Sequence, residues 1–225
     1  VYGELLGAAG RLEEQLHDLD AVSRELLAAL ADTAAARWRE PDHGIWEIRG
    51  EPRHFLYSKL MCWVALDRAI QLAPMLGAEG AVARWRRERA AVRAAILEHG
   101  WNAEVGAFVQ SFGDTALDAS NLVVPIVGFL PAADPRSKAT IERTAAELVD
   151  SRGLVYRYRN TDGLAGDEGP FLLCTFWLAE AFALAGETER ARTAFERAAR
   201  FCNDVGLLAE EADPTADALL GNFPQ

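Results

Sequence analysis

The sequence predicts an all-α protein that forms an α/α toroid, with inner helices packed around an axis and outer helices at the surface. Three observations support this fold class. Apolar residues recur at helical spacing over most of the 225 residues. Amphipathic segments alternate with nearly all-apolar ones, and a glycine-led loop returns roughly every 50 to 60 residues. Because all-apolar helices are buried and amphipathic helices lie at the surface, this alternation predicts the two layers.

Seven helices are predicted in order along the chain. Val22, Leu26, Leu27 and Leu30 give the first its apolar face, and the fifth begins at a proline that follows a capping Asp134. The predicted segments are Leu19–Arg39, Phe55–Leu76, Ala81–His99, Leu117–Phe129, Pro135–Val149, Phe171–Ala185 and Glu187–Phe201. The fourth and sixth are the most apolar, and the third is rich in arginine.

The loops between the helices repeat a short pattern. A glycine opens an apolar step that ends in a polar or charged side chain, first at Glu47, then at Gln110, Arg157 and Glu210. Brief extended pieces are expected in two of these loops, 108–110 and 155–158. If the copies surround one axis, their polar ends converge at one pole, and two glutamates there could perform acid/base hydrolysis. We expect a single domain over residues 1–225.

The composition excludes several classes of function. The net charge is −11 and the pI is about 4.9, which disfavours nucleic-acid and anionic membrane partners because an acidic surface repels phosphate groups. No apolar run approaches the roughly 18 residues of a membrane span. The three cysteines have neither metal-ligand nor disulfide spacing, so a reducing, cytoplasmic location is expected. Both ends resemble cuts through a longer protein.

The first candidate site is the loop that contains Trp46 and Glu47. A flat aromatic ring is a platform for a sugar, and a carboxyl group beside such an apolar wall is harder to ionise, which suits a general acid. The alternative is a surface glutamate beside a core tryptophan. His54 is the histidine expected beside this candidate, whereas His43 is expected to be a bystander.

The second candidate is the acidic cluster that starts at Glu210. Carboxylates that lie close together perturb each other, and one of them could activate a water as a general base. The alternative is a solvated acidic turn. A third candidate is Arg157, whose guanidinium could hold sugar hydroxyls or pair with a neighbouring carboxylate. No metal or phosphate-loop motif is present, and the predicted chemistry requires no cofactor.

At these residues the chain resembles glycoside hydrolase family 15, the glucoamylase-like enzymes and their bacterial trehalase relatives. The resemblance is strongest in the bacterial branch, and it covers essentially the whole chain. The blocks that carry it are Gly44–Gly50 with Pro52–Lys59, Phe171–Leu178, Asn203–Glu211 and Gly221–Gln225.

The resemblance implies an (α/α)6 barrel, here incomplete, that releases glucose from α-glucosides with inversion. It implies that Glu47 is the acid and Glu210 the base. Trp46 and Arg157 would bind an oligosaccharide or disaccharide, with Arg53 and His54 beside them. The family's N-terminal β-sandwich, an early Arg-Asp pair and a final inner helix are expected outside residues 1–225.

One departure leaves the substrate open. Glucoamylases place a second glutamate after the acid, but this chain has Ile48 there. Glucoamylase-like action is the first expectation and trehalose hydrolysis the alternative. Two other classes are a non-catalytic helical-repeat module that binds a carbohydrate or a protein, and another α/α-toroid enzyme such as a terpenoid cyclase. The cyclase class is disfavoured because no aspartate-rich motif is visible.

Overall fold

The computed structural model describes residues 1–12, 19–159, 169–216 and 218–222. Helices dominate this part of the chain, and short strand pairs lie in the loops. The α-helices are α1 Tyr2–Arg11, α2 Ala21–Arg37, α3 Leu56–Leu76, α4 Val82–Ala95, α5 Val123–Ile126, α6 Pro135–Glu147, α7 Leu172–Leu184 and α8 Thr188–Ala199. The strands are β1 Trp101–Asn102, β2 Ala107–Phe108, β3 Glu211–Ala212 and β4 Leu219–Leu220.

Shorter helical turns and two small sheets complete the secondary structure. Turns of 3-10 helix lie at Glu79–Ala81 and Ala119–Leu122, and a π-helical turn at Ile96–Gly100 extends α4. Strand β1 pairs antiparallel with β2, and β3 pairs antiparallel with β4. The contacts divide the chain into two compact units: residues 1–47 with 51–100, and residues 48–50 with 101–225.

Helix α3 is the centre of the first unit. It packs against α1, α2 and α4, and most of its side chains are buried, including Leu60 and Leu66. The predicted apolar helix at 55–76 is therefore confirmed as the inner helix of this unit. Gly77 ends it in the left-handed conformation, with φ of 65°. Helix α1 was not predicted.

The arginines of α4 link it to its neighbours in the first unit. Arg84 pairs with Asp32 of α2, and Arg89 pairs with Asp67 of α3 at 2.7 Å. Arginine clusters of this kind suggest a solvated or anion-binding face in a sequence. Here two of these guanidinium groups satisfy carboxylates on the adjacent helices.

Helix α7 has the same central place in the second unit, where it packs against α5, α6 and α8. The sequence predicts burial on nearly all sides, and the structure corrects this. Leu173 and Leu184 are exposed, whereas Cys174 and Leu178 are buried. Composition gives the burial of a helix only on average, and it does not show which stripe its neighbours cover.

Two other predictions need correction. The segment 117–129 is a 3-10 turn followed by the one-turn α5, because Asp118 caps the turn at Ser120 and Gly128 stops the helix at φ of 78°. Helix α2 buries its alanines at 31, 34 and 35, while Val22 and Leu26 are exposed. In the described residues, no helix is both long and apolar enough to cross a bilayer.

Candidate active site

Three of the four glycine-led loops share one turn. An Asn or Asp side chain accepts two backbone N–H groups that follow it, and a left-handed glycine with φ of 70°, 86° or 81° completes the turn. The pairs are Asn102 with Gly106, Asp150 with Gly153, and Asn203 with Gly206. The polar residue stands four positions after each glycine: Gln110, Arg157 and Glu210. The predicted repeat therefore has a common structural basis in these loops.

The first loop has a different geometry. Gly44 is also left-handed, with φ of 74°, but Glu47 follows it after three residues instead of four. Glu47 itself has φ of 52°, and no other non-glycine residue in the described part of the chain has positive φ. Such a conformation is uncommon for a residue with a side chain, and strained residues of this type concentrate at functional sites.

The loops of the second unit come together through backbone pairing. Phe171 N–H donates to Val155 O at 2.8 Å, and Leu172 N–H donates to Glu210 O at 2.8 Å. Glu211 forms a bridge with Phe171 and pairs in the hairpin with Leu220. The loop that carries Arg157 therefore lies beside the hairpin that carries Glu210.

Glu210 is held by a residue across this hairpin. The main-chain N–H of Asn222 donates to Oε2 at 2.8 Å, and the side-chain amide of Asn222 donates to Oε1 at 3.2 Å. A side chain at Gly221 would put its Cβ 2.9 Å from Glu210 Oε2. The two hydrogen bonds from Asn222 thus fix the orientation of the Glu210 carboxylate, and the lack of a side chain at Gly221 leaves room for it.

Arg157 pairs with the adjacent acid. Its Nη2 lies 3.4 Å from Glu211 Oε1, and each of the two side chains is 17% exposed. The guanidinium also lies 5.3 Å from the ring centre of Phe171 and 5.7 Å from that of Tyr158, within the range of cation–π contacts. The sequence offered pairing with a carboxylate as the alternative for Arg157, and Glu211 is that carboxylate.

The loop of Gln110 joins the same region with a buried polar group. Gln110 is 2% exposed, and its side-chain amide donates to Asp118 Oδ2 at 3.0 Å. Ala119 N–H donates to Arg157 O at 2.9 Å. The Gln110 loop is therefore linked through Asp118 and Ala119 to the backbone of Arg157, and the Gln110 side chain is buried within the protein.

In the first unit, the Glu47 loop closes on itself through Asp42 and Arg53. Their main chains exchange hydrogen bonds of 2.9 and 2.8 Å. Asp42, Glu47, Tyr57 and Lys59 help to line a cleft of about 630 Å³, a volume in the range of small-molecule sites.

The other predicted residues of this loop differ in exposure. Trp46 is half-buried, while Glu47, Arg53 and His54 are exposed. Partial desolvation, together with the positive charge of Lys59, lowers the pKa of His54 below its usual 6.5. His54 is therefore neutral near pH 7. Glu47 and Glu210 belong to different units, and their convergence stays a prediction.

Cys62 and Cys174 are not candidate nucleophiles for the site. Burial raises the pKa of Cys62 to about 11 and that of Cys174 well above its usual value. Both thiols are therefore protonated and poor nucleophiles. Cys174 is fully buried, and Cys62 is half-buried. No cluster of potential metal ligands occurs in the part of the chain that the structure describes.

Sequence reasoning missed three residues that organise these loops: Asp42, Lys59 and Asn222. Lys59 had a visible signal, because it is the one charged residue in the largely apolar stretch 55–66. Asp42 and Asn222 had none, since their role depends on which backbone N–H groups the folded loops bring near. Phe223, Pro224 and Gln225, which end the fourth block of the resemblance, lie outside the described residues.

Comparison with known proteins supports the resemblance found in the sequence. The sequence model described as "Glycosyl hydrolases family 15" matches residues 5–225. A trehalase of Mycobacterium tuberculosis is 47% identical over 203 residues, which are 89% of this chain and 30% of that protein. A trehalase of Thermoplasma acidophilum is 36% identical over 224 residues, covering 100% of this chain and 39% of its own length.

Solved structures show the same fold. A wild-type glycosidase superimposes with a TM-score of 0.81 at 23% identity, over 94% of this chain and 55% of its own. A bacterial glucoamylase complexed with acarbose gives 0.72 at 18% identity, over 94% of this chain and 36% of its own. The chain thus spans less than two thirds of each of these relatives. It belongs to glycosyl hydrolase family 15 and has the helical (α/α)6-type fold of the glucoamylase-like proteins.

Proposed function

We propose that this chain is part of an inverting, exo-acting hydrolase of α-glucosides, with Glu47 as general acid and Glu210 as general base. The observation that carries the proposal is the Arg157–Glu211 ion pair next to the hairpin that holds the Glu210 carboxylate, in a family 15 chain. A carboxylate with a fixed orientation can position a water, and a partly buried guanidinium can bind a sugar hydroxyl.

In the proposed reaction, protonated Glu47 donates its proton to the glycosidic oxygen as the bond to the anomeric carbon breaks. Ionised Glu210 accepts a proton from a water that attacks this carbon from the opposite face. The carboxyl groups of inverting enzymes stand about 6.5–9.5 Å apart, which leaves room for the water. Glu47 is exposed, and in the proposed complex the bound sugar covers it.

Arg157 and Trp46 have the supporting roles. Arg157 is oriented by Glu211 and by the faces of two aromatic rings, and a guanidinium held in this way is a donor suited to sugar hydroxyls. Trp46 offers its ring as a stacking surface beside Glu47. Arg53 and His54 flank the same loop, and His54 acts there as a neutral hydrogen-bonding group.

Trehalose is the substrate that we favour. The relatives with the highest identities described above are named trehalases, whereas the likeness to the glucoamylase bears on the fold. Ile48 agrees with this choice, because it removes the second acid that glucoamylases carry after the first. Glucoamylase-like action on maltooligosaccharides remains the second candidate, and side-by-side glucose release from trehalose and maltotriose separates the two.

The test of mechanism uses Glu47→Gln and Glu210→Gln in the intact protein that carries this chain. We expect each to lower turnover of the disaccharide by about 10²- to 10⁴-fold, the usual contribution of acid–base catalysis. Hydrolysis of α-glucosyl fluoride distinguishes the roles, because fluoride leaves without a proton from the enzyme. Glu47→Gln should keep most activity on the fluoride, and Glu210→Gln should lose it on both substrates.

The controls are exposed acids on the same loops, Glu51→Gln and Asp204→Asn, which should retain wild-type turnover. With trehalose, NMR of freshly released glucose should show equal amounts of β- and α-glucose, because the attacked unit is inverted and the other unit leaves as the α anomer. Retention would give α-glucose alone. Saccharide binding without glucose release, indifferent to both glutamate substitutions, would instead identify a non-catalytic carbohydrate-binding module.

A further inference from the structure

A buried lysine lies directly behind the turn that carries Glu47. Lys59 is 2% exposed, and its ammonium donates to Glu40 O at 2.5 Å and lies 3.4 Å from Asp42 Oδ2. The chain has only two lysines, Lys59 and Lys138. A buried ammonium is costly unless it is paired and hydrogen-bonded, so the contacts of Lys59 fix Asp42 and the end of the preceding helix in one arrangement.

Asp42 connects this lysine to both ends of the loop. Its Oδ1 accepts the N–H of Gly44 at 2.7 Å and the hydroxyl of Ser58 at 2.6 Å. Its main chain pairs in both directions with Arg53. One residue therefore ties the first turn of the loop, the last residues of the loop and helix α3 to each other.

The turn at Glu47 has a weak hydrogen bond of its own and a strained backbone. The hydrogen bond from Glu47 N–H to Gly44 O is 3.5 Å long, which is weak. Glu47 has a left-handed backbone with φ of 52°, and such a conformation persists only where the surrounding structure over-determines it. Asp42 supplies contacts to this loop from within the first unit.

We propose that the Asp42–Lys59 pair is a positioning device, which holds the Glu47 backbone left-handed so that its carboxyl group meets the glycosidic oxygen. The inference rests on the proposed role of Glu47 as general acid. It assigns Asp42 and Lys59 an effect on proton donation through Glu47, without contact of their own with the reacting atoms. Loss of Asp42 or Lys59 should therefore impair proton donation by Glu47 while its carboxyl group is still present.

The test compares Asp42→Asn, Lys59→Met and the double variant in the intact protein. Asp42→Asn keeps an oxygen for Gly44 and Ser58 but loses the charge, and Lys59→Met replaces the ammonium with an apolar chain of similar length. The double variant leaves no buried unpaired charge, so it tests the inference even if a single variant unfolds. Thermal melting identifies the variants that are folded.

We expect turnover of the disaccharide to fall by about 10- to 100-fold in folded variants, as a misplacement of about 1 Å produces. Activity on α-glucosyl fluoride should stay within about threefold of wild type, as for Glu47→Gln. A merely structural role would lower both activities alike. Lys138→Met, at an exposed lysine, and Glu51→Gln, in the same loop, should change neither.

Two results would overturn the inference while leaving the proposed function intact. In both, Glu47→Gln spares the fluoride reaction, but the variants at 42 and 59 lower both reactions equally or lower neither. If Glu47→Gln loses both reactions or neither, the acid role of Glu47 fails, and the inference fails with it.

Discussion

His54 shows how partial burial and a nearby charge together shift the pKa of a side chain. The pKa of His54 is lowered by desolvation first and by the charge of Lys59 second, with Asp42 acting in the opposite direction. The folded protein thus binds fewer protons at this site than the unfolded chain. The related stability is present above the unfolded value of 6.5 and decreases as the pH falls through the folded pKa.

An NMR titration of the imidazole protons tests this account. The midpoint for His54 should lie below 6.5, and Lys59→Met should raise it, because one of the two lowering causes is removed. Assignment by a His54→Gln variant separates its signal from those of the other histidines. An unchanged midpoint in Lys59→Met would show that desolvation alone lowers the pKa.

Gly221 is a second residue whose effect is local and measurable. We expect Gly221→Ala to lower turnover of both the disaccharide and α-glucosyl fluoride, because its Cβ would stand 2.9 Å from Glu210 Oε2 and displace the base. Gly186→Ala is the matched control: its φ of 81° is similar to the 76° of Gly221, but open space surrounds it. Equal turnover in the two variants would contradict this prediction.

The sequence indicated the candidate site residues, but it did not indicate which residues would hold them in place. Glu47, Arg157 and Glu210 stood out because a glycine pattern repeats at each of them. Asn222 and Asp42 act through contacts with backbone N–H groups, and those contacts exist only once the loops have folded. The strained backbone of Glu47 was also invisible, since nothing in its residue type requires a positive φ.

At the scale of the helices, the first unit depends on polar contacts between α2 and α4. Trp85 is fully buried, and its indole N–H donates to Asp32 Oδ1 at 2.7 Å. Asp32→Ala leaves this donor without that acceptor, so the free energy of unfolding should fall by about 1–3 kcal/mol. Urea denaturation followed by circular dichroism measures the change.

Two further variants make this prediction specific. Asp32→Asn retains an acceptor oxygen and should cost less than Asp32→Ala, whereas Glu25→Ala, at an exposed position of the same helix, should cost less than about 0.5 kcal/mol. A loss of the same size in Asp32→Ala and Glu25→Ala would show that the contact with Trp85 adds nothing to stability.

The long helices were predictable, and the short elements were not. Helices α2, α3, α4, α6, α7 and α8 begin and end within a few residues of the predicted bounds, because their periodicity extends over several turns. The β3–β4 hairpin has two-residue strands, too short for any alternation to be seen. Segment 117–129 was wrongly predicted to be one helix, because apolar content alone does not distinguish a helix from a buried, capped turn.

For the whole molecule, the alternation of apolar and amphipathic segments gave the correct fold class. It did so because the burial of apolar side chains drives helices to pack, and each unit does have an apolar helix at its centre. The exposed stripes on α2 and α7 could not be predicted, since they depend on which neighbours are present. The chain spans 30% of the M. tuberculosis trehalase, so the activity proposed above is that of the intact protein.

In three loops, an Asn or Asp side chain and a left-handed glycine form the same turn, and this bears on how such a site can change over evolution. In these loops the Asn or Asp side chain and the left-handed glycine fix the direction of the backbone. The residue four positions after that glycine is a glutamine, an arginine or a glutamate. The scaffold of the turn does not depend on the identity of this side chain. A substitution at such a tip can therefore change the chemical group that a loop presents while the turn that presents it stays the same.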